Sequence, residues 1–142
     1  MGEWSGELCL SRRPGTRSQY RVDCELCYTH DNGWAFIVLP GWTTDGASVP
    51  SPLRWYADPF SGPYASAAVL HDALYRGQIV SRAEADRVFR DAMIDAGTRP
   101  AQAWLLWAAV RAFGWLAWEA KHEDQIEWFA RSFIKLEVSP CP

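Results

Sequence analysis

The chain has no excess of positive charge: 14 Lys and Arg face 17 Asp and Glu, a formal net charge of −3, and no basic tail is present. Neutralising nucleic-acid phosphates needs a positive surface, so no nucleic-acid partner is expected. Met1-Gly2-Glu3-Trp4 lacks a basic stretch followed by an apolar one, and no secretory signal is expected. Myristoylation would need Ser or Thr where Gly6 stands. Internal repeats and low-complexity tracts are missing too. The most apolar stretch, Ala101 to Trp118, carries only Arg111 as a charge, but Gln102, Arg111 and Gly114 interrupt it. An arginine at mid-span is costly in lipid, so the stretch reads as a helix of a globular protein and not as a transmembrane one.

Cysteine is sparse: Cys9, Cys24, Cys27 and Cys141. Cys24-x-x-Cys27 has the spacing of half a zinc site, but no second pair follows. If Tyr20–Tyr28 is one strand, Cys24 and Cys27 face opposite sides, and the favoured reading is free thiols in a reducing compartment.

What is present describes an ordinary globular chain, with 49% apolar and 22% charged residues in 142, enough for one domain spanning residues 1–142. Residues 1–40 are β-rich. Tyr20–Tyr28 and Trp34–Leu39 flank Asn32-Gly33, a strong hairpin signal because both residues tolerate positive φ. Residues 41–62 read as an ordered loop, rich in Pro, Gly, Ser and Thr yet carrying Trp42, Trp55 and Phe60. Residues 63–135 are helical: Pro63 to Arg76 with Gly77 as the stop, then a helix opened by the capping box Ser81-Arg82-Ala83-Glu84 and closed at Gly97. A third runs from Pro100 to about Lys121, and Asp124–Phe133 is a fourth. The fold expected is α+β: a small N-terminal antiparallel sheet followed by three to four packed helices around a Trp-rich core. Trp104, Trp107, Trp115 and Trp118 fit a central core helix best; the other reading is a surface that touches lipid or another protein.

Three segments can carry chemistry: Thr44-Asp45-Gly46-Ala47-Ser48-Val49-Pro50 in the loop, His71-Asp72-Ala73-Leu74-Tyr75 on the first helix, and Ala85-Asp86-Arg87-Val88-Phe89 on the second. A short connection makes these helices antiparallel neighbours. His71 shares the apolar stripe of Ala67, Leu70 and Leu74, and Asp86 lies on the inward side of its own helix, so the two can meet. A buried carboxylate on one ring nitrogen leaves the other free as a general base; Tyr75 can hydrogen-bond Asp86, and Asp72, at the edge, can bind a cation. The competing reading is a structural His–Asp pair, with Asp45 as a turn former, His30 merely exposed in its hairpin, and His122 as favourable charge at a helix C-terminus.

Thr-Asp-Gly-Ala-Ser-Val-Pro, His-Asp-x-Leu-Tyr, Ser-Arg-x-x-Ala-Asp-x-x-Phe-x-x-x-Met and Ala109-Val110-Arg111-Ala112-Phe113-Gly114 together resemble the 1353 family of unknown function, frequent in tailed phages and prophages. That resemblance covers about residues 35–120 and implies phage origin without naming a reaction. The helix Ala67–Tyr75 is also similar to the active-site helix of secreted and parvoviral phospholipases A2, whose pattern is Cys-Cys-x-x-His-Asp-x-Cys-Tyr, and Ala85-Asp86-x-x-Phe89 to the later Ala-Asp-x-x-Phe of the parvoviral enzymes. By that likeness His71 activates water, Asp72 ligates Ca²⁺, and Asp86 with Tyr75 orients His71. The glycine-rich calcium loop of those enzymes has no clear copy, either at Trp42–Ser48 or at Phe60-Ser61-Gly62-Pro63.

The expectation is a phage-encoded protein with catalytic His71, Asp86 and Tyr75 and metal-ligating Asp72 and Asp45, hydrolysing lipid at the host envelope with Ca²⁺. One alternative is a non-enzymatic virion or tail-associated component. Another is a Zn²⁺-dependent cell-wall peptidase or amidase using His71 and two of Asp45, Asp72 and Asp86. Expected partners are virion or tail proteins, with lipid or envelope contact through the Trp-rich helix, and the expected location is the virion or host cytoplasm.

Overall fold

The computed structural model describes residues 2–15, 19–44, 63–139 and 141. Most of the loop expected over residues 41–62, including Asp45, lies outside the described residues.

The Asn-Gly hairpin forms as its sequence requires. Strands β4 (Leu26–Thr29) and β5 (Ala35–Val38) pair antiparallel, Leu26 opposite Val38 and Thr29 opposite Ala35. In the turn the Asn32 side chain accepts the Trp34 amide at 2.9 Å. Strand β1 (Glu3–Ser5) adds to the free side of β4, and β7 (Ile134–Glu137) to that of β5, giving the order β1-β4-β5-β7. Side chains alternate across this sheet: Leu26, Tyr28, Phe36 and Val38 join the main core, whereas Cys27, Ala35 and Ile37 form a small apolar cluster of their own with Leu39 and Cys141 packed against it. A second sheet contains β2 (Leu10–Arg12), β3 (Tyr20–Val22) and β6 (Thr43–Thr44), in the order β2-β3-β6.

The α+β expectation therefore holds, with two corrections in the β-rich part. The stretch Tyr20–Tyr28 is two strands in different sheets, broken at 23–25, where the Asp23 amide donates to the Cys9 carbonyl. The four cysteines are not free thiols and hold no half zinc site: Cys9 pairs with Cys24, and Cys27 with Cys141. The second pairing depends on the strand β7, which follows the helices and returns the chain end to the first hairpin; no local pattern within residues 1–40 announces it. There the Cys141 amide donates to the Thr29 hydroxyl at 3.1 Å.

The described residues contain five helices, α1 (Ala65–Gly77), α2 (Arg82–Asp95), α3 (Pro100–Phe113), α4 (Trp115–Glu119) and α5 (Glu123–Phe133), of which α1 and α5 pack on strands of the four-stranded sheet. Helix α1 is the central one, with eleven of its thirteen residues buried. It is built from Ala, Val and Leu, as a helix surrounded on all sides must be. Gly77 is not its stop. The residue in the left-handed conformation is Gln78, at φ 46°, whose side chain donates to the Trp118 carbonyl at 2.8 Å. Gly77 instead allows close approach, because a Cβ there would lie 2.6 Å from the Ile134 side chain. Helix α2 begins at Ser81, whose hydroxyl accepts the Glu84 amide at 3.2 Å. The Glu84 carboxylate turns to Arg87 at 2.8 Å, so only half of the capping box forms.

The long third helix is interrupted at Gly114, and the Trp-rich core is a further correction. Among the described residues Trp42 alone of the tryptophans is buried, while Trp104, Trp115 and Trp128 are about half exposed, as are Leu105, Phe113 and Leu116. Helix α3 packs chiefly on α2, and that single contact stripe consumes only Ala103, Leu106 and Val110. The core is filled instead by Tyr28, Phe36, Phe89, Leu70, Leu74 and Met93. No described helix is long and apolar enough to cross a membrane.

The Cys27–Cys141 bridge links positions 114 residues apart. A cross-link over so long a loop restricts the unfolded chain strongly, so replacing both cysteines by alanine is expected to lower unfolding free energy by about 2–4 kcal/mol. Urea denaturation of the variant against the oxidised protein measures this, and coincident curves would remove the bridge from the account of stability.

Candidate active site

Antiparallel packing of α1 on α2 places His71 and Asp86 face to face. The His71 Nε2 lies 2.7 Å from the Asp86 Oδ1, and both side chains are fully buried. An ionised carboxylate only accepts, so Nε2 donates its proton to Asp86. Tyr75, one helical turn after His71, donates its hydroxyl to the same Oδ1 at 2.7 Å. Phe89, one turn after Asp86, stacks on the imidazole at 4.4 Å between ring centres, and the Tyr75 ring covers it at 4.3 Å. The expected trio of His71, Asp86 and Tyr75 is thus brought together.

Two further members escaped the sequence reading. Arg111 on α3 donates to the Asp86 Oδ2 at 2.8 Å, and Arg82, one turn before Asp86, approaches it at 3.4 Å. Arg82 also donates to the carbonyls of Val110 and Arg111, at 3.2 and 3.3 Å, closing that end of α3 onto α2. Gly114 completes the set: a Cβ there would land on the Tyr75 hydroxyl and the Val110 carbonyl. The segment Ala109–Gly114 supplies the cation, the carbonyls and the gap that allow Tyr75 to reach Asp86. An (i, i+4) spacing from Arg82 to Asp86 was the available signal; Arg111 belongs to another helix and was marked only by the Ala109–Gly114 motif, which assigns it no role.

The electrostatics follow from these contacts. Burial alone pushes the Asp86 carboxyl upward, but hydrogen bonds from His71, Tyr75 and Arg111, with the charge of His71, overcome it and hold the carboxyl below its ordinary value. The Tyr75 hydroxyl moves up, first by burial and then because it donates to the Asp86 carboxylate. His71 Nδ1 is the exception: it is buried and has no hydrogen-bond partner among the described residues.

Asp72 lies beside this group on α1 and is already satisfied. Its Oδ2 accepts the Thr44 hydroxyl at 2.7 Å, and its Oδ1 the Arg76 Nε at 3.2 Å. The guanidinium stands where a cation would bind, and Asp86 is likewise committed to two arginines. Among the described residues no cluster of three His, Cys, Asp or Glu side chains can hold a metal ion. Among the described residues Asp72 is thus held in an ion pair with Arg76, and Asp45, the other expected metal ligand, lies outside them.

The other histidines also depart from expectation. His30 is 6% exposed rather than free in its turn, and its Nε2 meets Asp91 on α2 at 2.7 Å, pinning the hairpin to that helix. His122 precedes α5 as its N-cap and does not end a helix.

Removing one partner of a buried ion pair strands the remaining charges, so Asp86→Ala is expected to cost about 3–5 kcal/mol in urea unfolding. Because folding lowers the Asp86 pKa, its stabilisation is complete above the unfolded value of about 4 and lost as pH falls through the folded one. The acid limb of the stability curve should flatten in Asp86→Asn, and an unchanged limb would mean that other groups control acid unfolding.

Comparison with known proteins places this architecture. No solved structure matches the chain. An uncharacterized protein of Sinorhizobium fredii (strain NBRC 101917 / NGR234), y4iH, is 33% identical over 112 residues, which is 78% of this chain and 47% of that protein. The chain thus spans about half the length of this relative. Residues 20–110, which include β3 to β6, α1, α2 and most of α3, match the family described as protein of unknown function DUF1353. The chain belongs to the DUF1353 family.

Proposed function

We propose that the chain is a phage-encoded hydrolase in which His71 acts as a general base on water, cleaving an ester of an envelope lipid. The observation that carries this reading is the unpartnered Nδ1 of His71, set against an Nε2 fixed by Asp86. An unsatisfied buried nitrogen costs free energy, and retaining one on a ring held by Asp86, Tyr75 and Phe89 suits a group kept for proton transfer. In the reaction Nδ1 takes a proton as the water oxygen attacks the carbonyl carbon. Asp86 stabilises the imidazolium through Nε2–H, and Nδ1 then returns the proton to the leaving alkoxide. Arg82, Arg111 and Tyr75 keep the carboxylate in place and take no proton. Because the ring is fully buried, substrate reaches Nδ1 only when the wall over it opens.

Two disulfides suit an oxidising compartment such as the cell envelope rather than host cytoplasm. The exposed aromatic face of α3 and α4 suits contact with lipid or a virion protein.

The second reading is a structural virion or tail component in which the same group is a buried hydrogen-bond hub. The complete burial of His71 and the paired state of Asp72 favour it. Fatty-acid release from phosphatidylglycerol vesicles, measured both in EDTA and with added Ca²⁺, separates the two. Under the first reading the protein hydrolyses lipid and His71→Asn, shown folded by circular dichroism, is at least about 100-fold slower. No release by the unmodified protein, with fixed stoichiometry in purified particles, establishes the second.

A further inference from the structure

Arg76 stands on the last turn of α1. Its Nε is tied to Asp72, and its guanidinium lies 5.4 Å over the Trp42 ring and 5.9 Å over the Phe129 ring, which meet edge to face. Three contacts thus immobilise a side chain that ordinarily loses much rotamer freedom when it binds anything. Only Nε is engaged with a carboxylate, so both Nη groups remain to donate among the described residues. Arg76 lines a cleft of about 360 Å³ together with Lys121, Gln125, Trp128 and Phe129. Among the described residues no carboxylate lines it, in a chain whose net charge is −3.

We propose that this cleft binds a phosphate monoester, with the phosphate on Arg76 and Lys121 and the organic part against Trp128. A guanidinium presenting two N–H groups fits the oxygens of a phosphate, and an ammonium adds a second charge. Two cationic side chains lining one cleft match the charge of about −1.5 to −2 that a phosphomonoester carries at neutral pH. Gln125 adds an amide donor, and the Trp128 indole, 60% exposed, offers an apolar wall. The cleft volume falls in the range of small-molecule sites, about 300–1,000 Å³, and exceeds the needs of a bare phosphate ion. The site is independent of the base proposed at His71, since it uses neither that ring nor Asp86.

Two sources carry this chemistry, a soluble phosphomonoester and the headgroup of phosphatidic acid. Isothermal titration of the intact protein with glycerol 3-phosphate, and co-sedimentation with phosphatidylcholine vesicles with and without phosphatidic acid, separate them. Binding in either arm supports the site, provided that Lys121→Gln weakens it at least 10-fold and that acetate at the same concentration does not compete. Sedimentation with phosphatidic acid but no heat with glycerol 3-phosphate assigns the lipid source; the converse assigns the soluble one. Arg76→Lys, which retains the charge on Asp72 but loses the fork, should lower affinity in the arm that binds, with an unchanged melting temperature confirming the fold. Absence of binding in both arms at low salt, or binding indifferent to Lys121→Gln, overturns the proposal whatever the outcome at His71.

Discussion

A buried carboxylate with four hydrogen-bonding neighbours on three helices is the constraint around which the helical layer is arranged. Asp86 receives His71 and Tyr75 from α1, Arg82 from its own helix and Arg111 from α3. Taking that charge out of water is expensive, and only near-complete satisfaction makes it tolerable. The geometry of each partner is therefore demanding. Helix α1 must present one face with His71 and Tyr75 in line, α3 must end close enough for Arg111 to reach inward, and Gly114 must leave space for the tyrosine. Apolar packing around the group, from Ala85, Val88, Phe89 and Leu74, excludes water and strengthens each contact. The same features that make this a hub of stability orient the imidazole.

Elements that rest on local chemistry could be read directly. The Asn-Gly turn, the cap at Ser81 and the proline at the start of α3 each act within a few residues, and all three appear where expected. The meeting of His71, Asp86 and Tyr75 was legible as well, because a short connection leaves two helices little choice but to pack side by side. What escaped depends on long-range return of the chain. Strand β7 and the Cys27–Cys141 pair join the two ends of the sequence, and Arg111 reaches Asp86 from a third helix. Periodicity also misjudged the tryptophans of α3, since composition tells how apolar a helix is and not how many neighbours it will find.

Asp72 shows how a shared sequence pattern can end in different chemistry. A His-Asp pair on a helix invites a metal ligand, yet here the carboxylate is balanced by Arg76, five positions after His71, and by the Thr44 hydroxyl. An arginine one turn away is a permanent, covalently tethered counter-charge, present without any exchange with solvent. It also connects the two halves of the fold, for Thr44 comes from the smaller sheet and Arg76 leans on Trp42 at its edge.

The placement of β7 bears on biosynthesis. Its four residues complete the larger sheet beside β5, and Ile134 fills the space that Gly77 leaves against α1. A ribosome delivers the hairpin long before it delivers Ile134–Glu137, so one edge of β5 must wait, unpaired, through translation of all five helices. Nascent chains stalled before residue 134 will accordingly expose an open strand to chaperones.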